Sequence, residues 1–462
     1  MLLPRRLSVA LAPALRRTLF RVKPPQALAR QLRQRIGFGV RLADAPSVPP
    51  PGDLIDLDLL EKSNRRAIAQ RAERFGPVFK GLARGDEWVC IVGLTRARRF
   101  LQEHGGDLEV CSRDVTMLFG AGDIRRMADD DHRDYRKALV RAIRSPDADA
   151  GVAEFGEIVT RALGAYAADS SERAGSSEAF AATTRAMATE LLVRVFFGAR
   201  VGSPAGDRLI AGYRELGPYG LVWNSQQRQI VAYATIRDQI RADLADLARG
   251  DQGITSTCIA AVLEAQGALD EAMLGNLITM VDMGRSDVQV LLRWLTRYAA
   301  QHPAIVDQIA LDQIALNQSS PTEQGRSLAE AFVTEVLRTD QSERLERRAR
   351  HDIHFEGHFI AAGTFVRLCL WESHHDEGSF ADPFRFDPQR FTGSMPAADT
   401  FAPFGLDHHK CPFADLTIRL GTQYLLALAR GYRVELSSDG EPYRGAYHWE
   451  PPRRLAAELV AR

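Results

Sequence analysis

The sequence predicts a mainly α fold with a small β portion, organised as a single domain. Apolar residues recur every three or four positions through seven segments rich in Ala, Leu, Arg and Glu, which is typical of amphipathic helices. Strand-like stretches are few and short, and the sequence contains neither an internal repeat nor a second apolar core. The predicted helices cover residues 58–75, 95–104, 151–167, 180–197, 227–248, 270–302 and 325–339.

The predicted β portion consists of three stretches rich in β-branched and aromatic residues. Two of them are short, VCIVG at 89–93 and YRVEL at 432–436. The third covers residues 353–370 and predicts a hairpin that turns near Gly363, because glycine tolerates the left-handed backbone of a tight turn.

Composition excludes several classes of protein. With 462 residues, 45% hydrophobic and 26% charged, the chain can bury a large core. Basic and acidic residues are equal in number, 59 each, so the formal net charge is zero and no overall field attracts nucleic acid. The five cysteines are odd in number, far apart and without CxxC spacing, which argues against a disulfide framework or a zinc ribbon. We therefore expect a cytoplasmic protein with no nucleic-acid partner.

The first 46 residues are predicted to form a separate basic extension. Ten of the first 43 residues are Arg or Lys, and the first acidic residue is Asp44. The apolar stretch of this extension is short and contains Pro13, and no apolar run in the chain approaches the ~20 residues that span a bilayer. We expect no transmembrane anchor, while a mobile arm, a targeting segment and contact with a membrane surface all stay open. The folded domain is predicted to cover residues 47–462.

Cys411 stands in a turn-rich loop just before a predicted amphipathic helix. Backbone N–H groups and the helix dipole lower the pKa of a thiol in such a position and stabilise the thiolate that binds a metal. Pro412 suits the first position of that helix. At this point an anionic, metal-binding cysteine and a buried structural cysteine are both open.

The residues around this cysteine resemble the ligand loop of the cytochrome P450 family, the haem-thiolate monooxygenases. A Phe-Gly pair begins at Phe404 and is followed by His409 and Cys411 in the family's spacing. The resemblance implies that Cys411 is the metal ligand of haem b (iron protoporphyrin IX), that Phe404 packs on its thiolate side, and that His409 approaches a propionate. Two glycines of the family pattern are replaced, by Asp407 and Phe413.

A second motif resembles the structural triad of the same family. Glu335 and Arg338 are three residues apart on a predicted helix, which lets their side chains form an ion pair on one face. Arg390 lies in an aromatic, Pro-rich segment resembling the one whose arginine joins that pair. The resemblance implies a structural role for all three.

Further matches concern the haem propionates. His132 and Arg136 are one helical turn apart and match a His and an Arg that bind propionates in the family. Arg347 matches another propionate arginine. Together the motifs cover essentially residues 50–462 and resemble a soluble, bacterial-type member.

The central helix departs from the family pattern. Gly284 is retained, but Ser286 stands where the family has an acid, and Asp287 where it has Thr or Ser. If Gly284 faces the haem, Asp287 at i+3 does so too, and burial there would raise the pKa of its carboxyl toward neutrality. We predict that these three residues form the distal catalytic group, with Asp287 as proton donor or substrate-binding group; a purely structural role for Asp287 is the alternative.

The segment after the triad helix is also atypical, because charged residues replace an apolar stretch that lines the substrate pocket in the family. Glu343 and Arg344 lie there. Two interpretations are open: these residues bind a polar group of the substrate, or they form an ion pair that faces solvent.

The resemblance implies a haem-thiolate oxidoreductase that catalyses monooxygenation or oxidative coupling of a small organic substrate, in specialised metabolism. No flavin or iron–sulfur module is visible in the sequence, so we expect electrons from separate proteins, a ferredoxin or flavodoxin with its reductase. They would dock on a basic patch near Lys410, Arg136 and Lys137. A peroxide-driven or electron-independent enzyme (peroxygenase, isomerase or dehydratase) and a catalytically inactive haem-bearing recruitment module are the alternatives.

Overall fold

The computed structural model describes most of the chain after the basic extension. The described residues are 48–111, 115–120, 122–127, 129–145, 154–169, 175–200, 202–217, 225–249, 257–316, 326–341, 344–393, 397, 400–445 and 448–462. The extension predicted at residues 1–46 therefore lies outside the described residues. Within the described part, none of the helices combines the length and the apolar character that crossing a bilayer requires.

Helices dominate the structure. They are α1 (Leu57–Ser63), α2 (Ala67–Phe75), α3 (Leu94–His104), α4 (Thr116–Phe119), α5 (Asp129–Ile143), α6 (Phe155–Ala167), α7 (Ser177–Phe197), α8 (Pro204–Leu216), α9 (Gln226–Ala248), α10 (Ile259–Ala265), α11 (Glu271–Gln301), α12 (Pro303–Leu316), α13 (Leu328–Thr339), α14 (Leu370–His374) and α15 (Ala414–Gly431). The predicted mainly α fold with a small β portion is confirmed.

The strands are short. They are β1 (Gly52–Asp56), β2 (Val78–Ala83), β3 (Asp86–Val92), β4 (Leu108–Val110), β5 (Leu345–Ala349), β6 (Ile353–Phe355), β7 (His358–Ile360), β8 (Phe365–Cys369), β9 (Tyr432–Ser438), β10 (Tyr443–Arg444), β11 (Trp449–Glu450) and β12 (Ala456–Ala461). Three 3₁₀ turns, at Gly105–Asp107, Pro388–Phe391 and Asp407–His409, complete the regular structure of the described residues.

The predicted helix 58–75 is two helices, which corrects the sequence interpretation. Asn64 ends α1 in an extended conformation, with φ −150° and ψ 108°. Its side-chain oxygen accepts a hydrogen bond from the backbone N–H of Arg66 at 2.9 Å. Asparagine competes in this way with helical hydrogen bonds. The break is not visible in the sequence pattern, because the helical period of apolar residues continues on both sides of it.

The predicted hairpin also needs a correction. Its turn lies at Glu356 and Gly357, both with positive φ (47° and 75°), between β6 and β7. Gly363, with φ 79°, belongs to the next turn, before β8. Two consecutive residues with positive φ match the twist of short hairpin strands, so the two-residue loop at 356–357 closes the hairpin.

The chain divides into two compact units, and the first consists of the residues up to Cys111 together with Arg344–Ser373. Its main element is a six-stranded sheet in the order β1-β2-β3-β8-β5-β4. The sheet packs against α1 and α2 over a buried cluster that includes Ile68, Phe79 and Trp88. Most of these strands escaped the sequence interpretation because they are short and their residues alternate irregularly between buried and exposed.

The second unit, Ser112–Glu343 with His374–Arg462, is built around α11. This 31-residue helix begins at the cap residue Asp270, whose carboxylate accepts from the backbone N–H of Met273 at 2.7 Å. Its middle is enclosed by α7, α13 and α15, and its Thr296 hydroxyl lies 2.7 Å from that of Tyr424 on α15. The residues predicted to form the distal group lie on this helix.

Glu335 and Arg338 on α13 form a fully buried ion pair in the second unit. Both side chains are 0% exposed, and two hydrogen bonds of 2.7 and 2.8 Å join them. Arg338 Nη1 also donates to the carbonyl oxygens of His374 and Pro383, each at 2.8 Å. Glu335 Oε1 accepts from the backbone N–H of Asp387 at 2.9 Å. Because buried charges cost free energy unless they are paired and hydrogen-bonded, this arrangement fixes α13 against the segment that follows His374.

We predict that Glu335→Gln lowers the free energy of unfolding by about 3–5 kcal/mol, since it leaves Arg338 as a buried and uncompensated charge. Urea unfolding followed by circular dichroism measures this loss. The matched control is Asp130→Asn, which breaks a 2.8 Å pair with Arg133 at the surface, where both side chains are mostly exposed; it should cost less than about 1 kcal/mol. Equal losses in the two variants would contradict the structural role of the buried pair.

Candidate functional site

The loop that carries Cys411 is held by backbone hydrogen bonds. The backbone N–H of Cys411 donates to the carbonyl oxygen of Phe404 at 2.9 Å. Between them Asp407 has a positive φ of 61°, and its carboxylate accepts from the backbone N–H of His409 at 2.7 Å. Aspartate tolerates the left-handed conformation and can hydrogen-bond the backbone two residues on, so Asp407 closes a turn that the family closes with glycine.

Cys411 is not part of a disulfide and is half-buried. The helix after it, α15, begins at Ala414, with Phe413 as its N-cap residue. The prediction that Pro412 occupies the first helical position is therefore wrong, because two turn residues separate Cys411 from α15. The phenyl ring of Phe413 packs on that of Phe196 of α7, with ring centroids 4.7 Å apart, so the second missing glycine is replaced by an aromatic contact.

Basic side chains from α5 lie beside this loop. Arg136 Nη2 donates to the carbonyl oxygen of Lys410 at 2.6 Å. Burial lowers the pKa of the Arg136 guanidinium, and the negative charges of Cys411 and Asp407 oppose that shift. A guanidinium stays protonated in proteins, so Arg136 favours the thiolate form of Cys411.

Histidines surround the same point. The imidazole of His132, which is buried, lies 4.7 Å from the ring of His409 and 5.4 Å from that of His408, measured between centroids. The structure thus brings together four of the predicted cofactor-binding residues: Cys411, His409, His132 and Arg136. Phe404, the fifth, joins them through its hydrogen bond to Cys411.

Arg347, the other predicted propionate ligand, belongs to the first unit. It lies on β5, is buried, and its Nη1 donates to the carbonyl oxygen of Glu346 at 3.0 Å. Its role at the haem stays a prediction from the resemblance.

The triad residues come together as the resemblance implies. Arg390 Nε lies 3.5 Å from Glu335 Oε1, in addition to the direct pair between Glu335 and Arg338. Arg390 also donates to the carbonyl oxygens of Ala381 and Asp382, at 2.5 and 2.9 Å. The three side chains thereby tie the Pro-rich segment to α13.

His374 connects this triad with the cysteine loop and was not predicted as a functional residue. Its carbonyl oxygen accepts from Arg338, and its imidazole Nε2 accepts from the backbone N–H of Ala402 at 2.9 Å. Burial and the neighbouring charge of Arg338 lower the pKa of His374 to about 3. The imidazole is therefore neutral at physiological pH and keeps the lone pair that anchors residue 402, two positions before Phe404.

The distal residues on α11 differ from the sequence prediction. A side chain at Gly284 would begin 3.2 Å from Leu192 Cδ1 of α7, so this glycine permits close packing of two helices. Ser286 is half-buried. The Asp287 side chain is 57% exposed in the protein chain alone, so protein atoms do not bury its carboxyl group, and its burial beside the haem stays a prediction.

Two residues that sequence reasoning missed contact Asp287. Its Oδ1 lies 3.2 Å from Nε2 of His448, a buried histidine between β10 and β11. Its carbonyl oxygen accepts from Gln341 Nε2 at 2.7 Å. These partners lie 161 and 54 residues further along the chain, and no local sequence pattern indicates such pairings.

Arg344 does not form the solvent-facing ion pair that the sequence left open. It belongs to the first unit and is buried, and its guanidinium forms ion pairs with Glu346 at 3.2 Å, Asp58 at 3.5 Å and Glu61 at 3.6 Å. The solvent-facing pair is therefore wrong for Arg344, because three carboxylates compensate its charge inside the unit, while its contact with the substrate stays a prediction. Glu343 lies outside the described residues.

The geometry fits a haem ligated by one cysteine. The loop offers a half-buried cysteine that is not disulfide-bonded, a guanidinium that stabilises its anion, and imidazoles and cations that suit the two propionates. Elsewhere in the described part of the chain, no cluster of three His, Cys, Asp or Glu side chains could hold a metal ion.

Comparisons with known proteins agree with this site. The family model described as Cytochrome P450 matches residues 266–443, which include α11, the triad and the cysteine loop. Cytochrome P450 88A1 of Zea mays is 25% identical over 427 residues, which are 85% of this chain and 80% of that protein. Abscisic acid 8'-hydroxylase 3 of Oryza sativa subsp. indica is 26% identical over 475 residues, 93% of this chain and 90% of that protein.

The fold has a match among solved structures. The retinoic acid-bound cyanobacterial CYP120A1 superposes with a TM-score of 0.70 at 20% identity, over 90% of this chain and 100% of that one. Loop geometry, buried triad, family model and relatives lead to one conclusion: they support a member of the cytochrome P450 family, a haem-dependent oxidoreductase of the monooxygenase type.

Proposed function

We propose that the protein hydroxylates an apolar organic acid, with Cys411 as the axial ligand of its haem. The observation that carries the proposal is the Cys411 loop, in which the backbone hydrogen bond from Cys411 to Phe404 holds the cysteine beside the guanidinium of Arg136. When bound, a haem with a thiolate ligand supplies dioxygen activation. The protein's contribution is to keep the sulfur anionic and fixed in place.

The residues around the loop have distinct roles in this proposal. Arg136, His132 and His409 hold the haem propionates by charge-assisted hydrogen bonds. Arg347 is proposed for the same task on the resemblance. Asp407 fixes the turn, and it keeps the backbone N–H of His409 occupied.

We predict that Cys411→Ser abolishes the thiolate-type absorption of the reduced, carbon monoxide-bound protein, because the hydroxyl of serine is not ionised at neutral pH. Absorption spectra of the haem-loaded chain measure this, with circular dichroism to verify that the variant is folded. The matched control is Cys111→Ser, which removes another half-buried free thiol and should leave the spectrum unchanged. A thiolate-type spectrum in Cys411→Ser would refute the ligand assignment.

The substrate class is proposed from the relatives and from a cavity on α11. One relative is named for abscisic acid and one structural neighbour holds retinoic acid, both apolar molecules with one carboxylate. A small cavity beside α11, with a volume of about 10 Å³ that suits only the carboxylate end of such a molecule, is lined by Val115, Leu118, Arg125, Leu216, Thr279, Asp282 and Met283. Most of this lining is apolar, and Arg125 is its one side chain of positive charge among the described residues.

Arg125 has a geometry that suits a carboxylate. Asp123 accepts from its Nε and Nη2, each at 3.0 Å, while Nη1 is directed at the thioether sulfur of Met283 at 3.2 Å. A thioether is a weak acceptor, so a substrate carboxylate would exchange a weak contact for a charge-assisted hydrogen bond.

We predict that apolar carboxylic acids shift the haem absorption spectrum at concentrations at least about tenfold lower than their methyl esters, which corresponds to one charge-assisted hydrogen bond. In Arg125→Leu this preference should disappear. Spectral titration of both proteins with a retinoid or terpenoid acid and its ester measures it. An unchanged preference in the variant would exclude Arg125 as the carboxylate-binding residue.

A basic groove beside the cysteine loop is proposed as the docking site of the electron donor. Its volume is about 800 Å³, and it is lined by His132, Arg133, Arg136, Lys137, Val140, Arg141, Arg144 and His408. The cations follow one face of α5, with spacings of three and four residues. Because the net charge of the chain is zero, this groove supplies a local field that steers an acidic ferredoxin or flavodoxin.

We predict that Arg141→Glu slows reduction of the haem by an acidic ferredoxin about tenfold or more at low salt, and that the difference shrinks above 0.1 M salt, where the Debye length is about 10 Å. Stopped-flow absorption measures the rate. Arg241→Glu, an exposed site on α9, is the control and should change little. If the rate of haem reduction depends neither on the charge of residue 141 nor on the salt concentration, and peroxide alone supports turnover, a peroxide-driven enzyme is favoured instead.

A further inference from the structure

A hydrogen-bonded pair, Asp287 and His448, joins the central helix α11 to the loop before β11. Nε2 of His448 lies 3.2 Å from Oδ1 of Asp287, and Nδ1 of His448 lies 3.2 Å from the carbonyl oxygen of Trp449. Gln341 holds the same turn of α11 from a third segment, by donating to the Asp287 carbonyl oxygen at 2.7 Å. Three distant parts of the second unit therefore converge on one position.

The partners of His448 determine how many protons the pair holds. A carbonyl oxygen can only accept, and an ionised carboxylate can only accept, so both ring nitrogens of His448 face acceptors. A neutral imidazole has one N–H and can satisfy only one of them. Both hydrogen bonds are made when the ring is an imidazolium or when Asp287 carries the proton. The geometry therefore favours a pair that holds one proton more than a neutral imidazole and an ionised carboxylate do.

The charges around His448 favour that proton. Burial acts to lower the pKa of His448, but the hydrogen bond and the charge of Asp287 outweigh it, with smaller contributions from Glu450 and the Trp449 carbonyl. The pKa of His448 consequently lies above its usual 6.5. The charge of Glu450 is itself engaged, by a hydrogen bond from the Tyr443 hydroxyl and by the charge of Arg293. Asp287 is therefore the main partner.

The two members of the pair differ in access to water. His448 is buried, whereas the Asp287 side chain is 57% exposed in the protein chain. A proton at Nε2 can pass to the carboxylate oxygen that it already contacts and leave from that carboxyl group, which protein atoms leave largely uncovered, and a proton from solvent then replaces it on the pair. One proton departs and one returns, with no change in the electron count of either residue.

We propose that Asp287 and His448 form the proton-delivery pair of this enzyme, with His448 as the positioning residue that orients and recharges Asp287. The inference rests on the proposed function, because protons are needed when dioxygen is cleaved. Asp287 occupies the position at which the family has a Thr or Ser. Ser286 stands where the family has an acid and cannot provide that acid's proton, so His448 supplies the proton from another segment.

The test combines two variants with a control on the same helix. Asp287→Asn and His448→Gln keep hydrogen-bonding groups but remove one titratable member each. Asp439→Asn removes a carboxylate that pairs with Arg297 of α11 at 2.8 Å, away from His448. Because Asp287 is exposed, Asp287→Asn is expected to fold even if the buried His448→Gln variant does not.

The first readout is independent of turnover. Histidine resonances of the haem-loaded, reduced and carbon monoxide-bound chain are titrated by NMR, with His448 assigned by its absence from His448→Gln or, if that variant does not fold, from His448→Asn. Wild type and Asp439→Asn should show His448 titrating above pH 6.5. Asp287→Asn should show it below pH 6.5, since burial then acts without the opposing carboxylate. The same titration point with and without Asp287 would overturn the pair.

The second readout is product formed per electron consumed, as a function of pH. Both Asp287→Asn and His448→Gln should lower this ratio about tenfold or more, and the decline that wild type shows above the titration point of His448 should be lost. If the wild type shows a thiolate-type spectrum and both variants keep the wild-type ratio, the inference alone is overturned. Absence of that spectrum from the wild type would overturn the proposed function, and the inference with it.

Discussion

The structure of the second unit depends on the buried ion pair between Glu335 and Arg338. Neither charge is tolerable alone at 0% exposure, so each must keep its full set of hydrogen-bond partners. One of those partners is the carbonyl oxygen of His374, whose imidazole holds the backbone N–H of Ala402. From there the chain runs to Phe404, which fixes Cys411. The buried ion pair on α13 thereby fixes the position of the Cys411 sulfur atom.

The departures from the family pattern are compatible with this frame because each has a local physical substitute. Asp407 adopts the left-handed conformation and caps the next turn with its own carboxylate. Phe413 lacks the backbone freedom of the glycine that it replaces, but its ring packs on that of Phe196. On α11 the missing acid and alcohol coincide with a titratable pair that links this helix to the C-terminal segment, Asp287 and His448. The first two changes preserve the ligand loop, and the third places a carboxylate and an imidazole where the family has an alcohol and an acid.

Local periodicity and motif spacing were enough to predict the helices and the residues that form the ligand loop and the triad. All seven helical segments contain helices, and the residues of the ligand loop and the triad come together. The break at Asn64 and the turn at Glu356 escaped because side-chain hydrogen bonds and positive φ angles leave the apolar period unchanged. The burial of Arg344 and the pairing of Asp287 escaped for another reason. Their partners are 286 and 161 residues away in the chain, and only the folded structure brings such charges together.

We propose that the triad, through His374, holds Cys411 as the thiolate ligand of the haem. X-ray absorption at the iron edge of the haem-loaded chain tests it most directly, by counting sulfur atoms bound to iron in the wild type and in His374→Leu. We expect one sulfur neighbour in the wild type and a reduced sulfur occupancy in the variant, because the backbone N–H of Ala402 loses its acceptor. An iron shell of nitrogen and oxygen alone in the wild type, or full sulfur occupancy in His374→Leu, would contradict it.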